Sequence, residues 1–193
     1  MAVLATAVTL ALVWLHDWPA HHFSVVQQGV LYRGGQPSGK GLQYIIQRYK
    51  VRTVVNLRGP CPEQAWWQVE RETCRKHGVR MIDVPVGSRD TAVPGLKQFL
   101  AIATDAANGP VYVHCEVGSA RTGYAVATYR IVAQGWSHDQ ALEEAKKFRF
   151  DPKVKLDPEY DRILRELAAG ADWRHLGGAV ASSPASARAR ASD

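Results

Sequence analysis

The stretch that decides the fold runs Val111-Tyr112-Val113-His114-Cys115-Glu116-Val117-Gly118-Ser119-Ala120-Arg121-Thr122-Gly123. Its opening residues, β-branched and aromatic, read as a short buried strand, and residues 121–134 read as the helix that follows. Between them, five residues separate Cys115 from Arg121. That spacing lets the backbone curl around an anion, with successive N–H groups aimed inward and a helix N-terminus behind them. Gly118 relieves the tight curvature, and the small Ser119 and Ala120 keep side chains out of the ring. The same field should depress the pKa of Cys115, so that a thiolate exists at neutral pH. Arg121 can grip two oxygens of a phosphate in a plane, which Lys cannot. Thr122 can offer its hydroxyl to the sulfur. The bland alternative is a buried free cysteine beside a loop arginine; a strand before, a helix after and the Arg-Thr-Gly exit speak against it.

Upstream, Gly29 to Arg33 reads as a strand stopped by Gly34, Gly35 and Pro37. Residues 39–49 carry Leu42, Ile45 and Ile46 at helical spacing. Residues 51–57 (VRTVVNL) form a buried-strand pattern, and a helix rich in Trp and Glu follows from about Pro62 to His77. Val79 to Val86 is the next strand, then a polar loop, Gly87-Ser88-Arg89-Asp90-Thr91, leads into a helix over about 93–107. Downstream, Ser137 with Gln140 is a capping-box pattern opening a helix through Phe148, and a last helix spans about Pro158 to Ala169. Strands alternating with helices imply an α/β fold: a central, mostly parallel sheet of four to five strands flanked by helices. Residues 16–28 read as an irregular linker, 29–170 as the domain, and 177–193, small and polar, as a disordered tail.

At 193 residues the chain holds one domain with short appendages. Its net charge of +6 suits anionic substrates, but with no basic run interleaved with aromatics it argues against nucleic acid. Three cysteines without CxxC spacing make neither a disulfide framework nor a zinc site, and no cofactor is implied. Residues 1–15 carry no charged side chain. They are shorter than the roughly 20 apolar residues of a membrane span and lack the basic flank of a signal peptide. A short membrane anchor, an uncleaved export signal and a helix packed on the domain compete. The first two are favoured and would place the protein at a membrane or the cell envelope; otherwise it is cytoplasmic.

The segment HCEVGSARTG resembles the HCxxGxxR[ST] signature of protein-tyrosine and dual-specificity phosphatases. Leu31-Tyr32-Arg33-Gly34-Gly35-Gln36-Pro37 and Val54-Val55-Asn56-Leu57-Arg58 resemble the early strand motifs of compact bacterial and fungal dual-specificity-like members, and the likeness covers about residues 24–150. It implies thiolate attack by Cys115 on a phosphomonoester, a phosphocysteine intermediate, hydrolysis by water and no metal. It implies that Glu116, Val117, Gly118, Ser119, Ala120 and Arg121 bind phosphate, with His114 supporting the loop through nearby backbone. It also implies an aspartic acid ahead of the helix before the signature strand. Asp83, in a strand, and Asp90, in the following loop, both qualify; the loop position favours Asp90. A loose likeness to tensin-homologue lipid phosphatases makes Cys61 a candidate redox partner of Cys115, against a solitary loop cysteine. Arg58 and Arg89 could extend the anion site, with solvated arginines as the bland reading. His21 and His22 read as linker residues.

The variable loop positions hold Glu116 and no Lys, which leans toward phosphotyrosine or phosphoserine/threonine in proteins, or another simple monoester. Phosphoinositides or other small phosphomonoesters are the alternative. Two rivals of other classes are a different enzyme using a C-x5-R loop, such as a rhodanese-like sulfurtransferase or arsenate reductase, and an inactive phosphate-binding module.

Overall fold

In the computed structural model, residues 18–87, 89–150 and 158–176 are described. The expectations for residues 1–15 and 177–193 fall outside them. Among the described residues no helix is long and apolar enough to cross a membrane.

Five strands form one sheet: β1 (Ser24–Gln27), β2 (Leu31–Gly34), β3 (Thr53–Asn56), β4 (Arg80–Asp83) and β5 (Val111–His114). Their order across the sheet is β1-β2-β5-β3-β4. Only β1 runs antiparallel; the β2–β5, β3–β5 and β3–β4 pairs are parallel. The helices are α1 (Gly39–Tyr49), α2 (Ala65–Lys76), α3 (Arg89–Ala103), α4 (Ala120–Gln134), α5 (His138–Lys146) and α6 (Pro158–Ala168). The expected α/β architecture is thus present.

β5 lies between β2 and β3, buried on both faces, which explains its unbroken apolar reading. The two-residue alternation of a strand splits its side chains. Val111 and Val113 join a core with Leu31, Val55, Leu96, Phe99 and the α4 and α6 side chains. Tyr112 joins a second core with Tyr32, Leu42, Ile45, Val54 and Cys74, beneath α1 and α2. His114 therefore points to the α2 side and Cys115 to the α4 side. Because the parallel strands end together, the loop after β5 opens at the carboxyl edge of the sheet, where α/β folds bind ligands.

Two expectations are corrected. Residues 24–27, which read as part of an irregular linker, are a strand: β1 adds to the edge of β2, with Ser24 opposite Arg33 and Val25 opposite Tyr32. Four residues of mixed polarity give no periodic signal, and only pairing with β2 makes them a strand. Further back, Pro19 lies over α1 so closely that a Cβ at Gly41 would stand 2.1 Å from its carbonyl oxygen. The second correction is at α3, which begins at Arg89, not near 93, so Asp90 is in its first turn rather than in a loop. Pro94 hides that turn: it lies inside the helix, where it has no N–H to give the Asp90 carbonyl, so a helix reads from the sequence as starting only near it. The Ser137–Gln140 capping box is present as expected.

Candidate active site

The loop from Cys115 to Arg121 is held from outside by its carbonyl oxygens. Cys115 O faces His114 Nδ1 at 3.1 Å. Glu116 O accepts from the Gln36 N–H at 2.8 Å. Val117 O faces His22 Nδ1 at 3.0 Å. Gly118 O accepts from Arg33 Nη2. With four successive carbonyls turned outward, the peptide N–H groups face the hollow of the loop, and Gly118 N lies 3.3 Å from the Cys115 sulfur.

The chain folds this way because two glycine segments meet. Gly118 has φ +80, a backbone conformation that side-chain-bearing residues rarely adopt, and a Cβ there would stand 2.5 Å from the Gly34 carbonyl carbon. A Cβ on Gly35 would stand 2.7 Å from Glu116 O. The β2–α1 turn thus lies directly against the loop, anchored by Tyr112 donating to Gly35 O at 2.7 Å and Gly35 N donating to His21 O at 2.7 Å.

Cys115 is buried, and burial alone would push its thiol up. The Thr122 hydroxyl, the N–H groups of Thr122 and Gly118 and the Arg121 guanidinium outweigh burial and hold Cys115 below the ordinary thiol range. The Thr122 hydroxyl lies between this sulfur and Gly34 O, 3.3 Å away. Arg121, in the first turn of α4, is half-buried. Glu116 and Val117 point their side chains to solvent, and Glu116 pairs with Arg58 at 3.8 Å. Arg58 also lies over the Trp66 ring at 3.8 Å, so it is a rim residue of this site, not an isolated solvated arginine.

Of the two candidate acids, Asp83 is occupied: its carboxylate accepts from Asn56 Nδ2 at 2.7 Å and from Trp67 Nε1 at 3.2 Å, tying α2 to the sheet. Asp90 has an exposed carboxyl at the start of α3. The segment before it reaches the loop, a Cβ on Gly87 standing 3.9 Å from Arg121 Cδ. Cys61, Cys74 and Cys115 are all free thiols, and Cys61 is half-buried between β3 and α2.

Four supporting residues gain a role only from the fold. Arg33 and Gln36 lie within a strand-and-turn motif that gives neither a task. Arg33 is fully buried against Phe148, its guanidinium 3.7 Å from the ring; burial lowers its pKa to about 10, which leaves it charged at neutral pH. His22, a linker residue by sequence, is bound to the loop. Glu70 is buried on α2 and lies 2.6 Å from His114 Nε2. Its signal is present in the sequence: Trp67, Glu70 and Cys74 make the inward stripe of α2, and a carboxylate in such a stripe needs a partner.

A family model described as "DSP-PTPase phosphatase fused to NAD+ Kinase" matches residues 15–160. The chain is 31% identical over 135 residues to the inositol diphosphatase DSP1 of Oryza sativa subsp. japonica, covering 67% of this chain and 58% of that protein. It is 35% identical over 123 residues to the dual specificity protein phosphatase TpbA of Pseudomonas aeruginosa, covering 62% and 51%. The chain thus spans between half and three fifths of these relatives. The core catalytic domain of the PP-IP phosphatase SIW14 from S. cerevisiae, solved with citrate, shares the fold with a TM-score of 0.63 at 24% identity, over 76% of this chain and 85% of that one. The outward-tied loop, its cysteine and the extent of the family match agree: this chain belongs to the dual-specificity, protein-tyrosine-type phosphatase family.

Proposed function

We propose that the protein is a cysteine phosphatase that hydrolyses phosphomonoesters through a phosphocysteine intermediate, using no metal or cofactor. The observation that carries this reading is the loop itself, four carbonyls tied outward around a buried thiol held below its ordinary pKa. The phosphoryl group binds to the inward N–H groups and Arg121, which stabilise its charge through the transition state. The Cys115 thiolate attacks phosphorus, forming the P–S bond as the P–O bond to the leaving group breaks. Asp90 gives that oxygen its proton. Water then attacks phosphorus and loses a proton to Asp90, the P–S bond breaks, and the Thr122 hydroxyl receives the departing thiolate.

Phosphotyrosine or phosphoserine/threonine in proteins is the preferred substrate class. Positions 116–120 carry no Lys or Arg, and the exposed carboxylate of Glu116 at the rim disfavours a multiply phosphorylated ligand. A small-molecule substrate is the second reading, favoured by the relative named as an inositol diphosphatase and by Arg58 at the rim. A panel of p-nitrophenyl phosphate, phosphopeptides, phosphoinositides and inositol pyrophosphates, run with and without chelator, separates these. Phosphopeptides should turn over fastest, with or without chelator. Faster turnover of an inositol substrate overturns the preference, and phosphate binding without any turnover leaves only a binding module. Residues 1–15 are proposed to bring the domain to a membrane; their deletion should release the protein from the membrane fraction, and unchanged fractionation would sink that role.

A further inference from the structure

The pair Glu70–His114 stands behind the nucleophile and takes no part in the steps above. Both residues are fully buried. His114 Nδ1 faces the Cys115 carbonyl oxygen, which can only accept, so this nitrogen carries a hydrogen. His114 Nε2 faces Glu70 Oε1 at 2.6 Å, while Glu70 Oε2 accepts from Gln36 Nε2 at 2.6 Å. A carboxylate that accepts on both oxygens leaves Nε2 as the donor, and the ring then holds two protons. The surrounding groups are consistent with that. The Tyr112 ring stacks on His114 with centroids 5.6 Å apart, and Arg58 and the Cys115 sulfur are the other charged or ionisable groups acting on the pair, with Cys74 on the far side of Glu70.

We propose that Glu70 is a positioning residue for the nucleophile: it keeps His114 as an imidazolium, which grips the Cys115 carbonyl and sets a fixed positive charge behind the sulfur. This rests on Cys115 being the nucleophile. The imidazolium is bonded to Cys115 itself, while the carboxylate lies one ring farther away, so the nearer charge is the one that favours the thiolate. Burial opposes each charge alone, and the partner outweighs it: His114 is raised and Glu70 lowered from their ordinary values. Electrostatic coupling to the thiolate is reciprocal.

Glu70→Gln keeps the shape and removes the charge. The ring should then become neutral, with Nδ1–H still on Cys115 O and Nε2 accepting from the new amide. The readout is the pH profile of Cys115 alkylation by iodoacetate in the Glu70→Gln variant. Its midpoint should rise by about half to one pH unit, a roughly three- to tenfold slower reaction at any pH well below the wild-type midpoint. A purely structural role would lower the folded fraction without moving the midpoint. Nitrogen-15 spectra of wild-type His114 should show both ring N–H groups from pH 5.5 to 8. A neutral His114 in the wild type at pH 7, or superimposable alkylation profiles, overturns the proposal; should the variant not fold, the wild-type spectrum decides alone. Neither readout needs turnover, so a chain with these signatures that hydrolyses no phosphomonoester would break the functional reading and leave this one standing.

Discussion

Two buried cysteines sit a short way apart in this fold and are driven in opposite directions. Cys74, on the inner stripe of α2, is packed among Tyr32, Ile45, Val54 and Met81; burial pushes its thiol up to about 12. Cys115 is nearly as buried, yet its pKa falls. Apolar surroundings penalise any thiolate, so burial by itself makes a cysteine inert. What separates the two is a set of donors already aimed at one sulfur: the N–H groups of Gly118 and Thr122, the Thr122 hydroxyl and the Arg121 charge. The Gly118 N–H is in place before any substrate arrives because the carbonyl of the same peptide, Val117 O, is fixed to His22, and Thr122 and Arg121 are set by the first turn of α4. Reactivity here is built from the loop's exterior.

The largest expected effect is at the sulfur itself. Cys115→Ser should lower turnover by about 10⁴-fold or more while inorganic phosphate still binds. Cys74→Ser should leave kcat unchanged and cost on the order of 1–3 kcal/mol in urea unfolding, because it buries a hydroxyl among apolar side chains. Equal losses of turnover in the two variants would erase the distinction between the cysteines.

Next is the charge facing the thiolate. Arg121→Lys keeps a cation but loses the planar grip, and kcat/KM should fall by roughly 10²- to 10³-fold. Asp90→Asn should cost a similar ~10²-fold on a phosphotyrosyl peptide, much less on p-nitrophenyl phosphate, and should leave the alkylation rate of Cys115 untouched. Asp83→Asn should instead retain most activity and lose about 1–2 kcal/mol of stability, since it weakens the bonds to Asn56 and Trp67. The reverse pattern would move the acid to Asp83.

The smallest effect concerns pH. His114 is raised above 6.5, so its contribution to stability is complete below pH 6.5 and is lost as pH rises through the folded value. Glu70 is lowered below 4.5, so its contribution is present above pH 4.5 and is lost as pH falls through the folded value. Urea midpoints should therefore form a plateau between about pH 4.5 and 6.5 in the wild type relative to Glu70→Gln. Parallel curves for the two proteins would show that the pair does not stabilise through its charges.

Much of this site is legible in the order of residues along the chain. Strand β5 follows from a local pattern, because a strand buried on both faces needs no polar alternation, whereas α4 is buried on every side from Thr122 to Ile131 and carries no helical period. Asp90 stands out in the sequence but its setting does not, since Pro94 obscures the helix start. β1 is invisible there because four residues of mixed polarity become a strand only beside β2. Glu70 is marked in the sequence only by its spacing from Trp67 and Cys74, a faint signal because a Glu in a helix is ordinarily solvated.

The sequence by itself determined the reacting group and its clamp. Cys115, Arg121 and Thr122 are neighbours along the chain, and their spacing carries the geometry of an anion loop. Only the tertiary structure decided what holds that loop in shape. His22, Arg33, Gln36 and Glu70 reach it from between 44 and 95 residues away. Such contacts leave no periodicity in the sequence, because folding, not chain order, makes those residues neighbours.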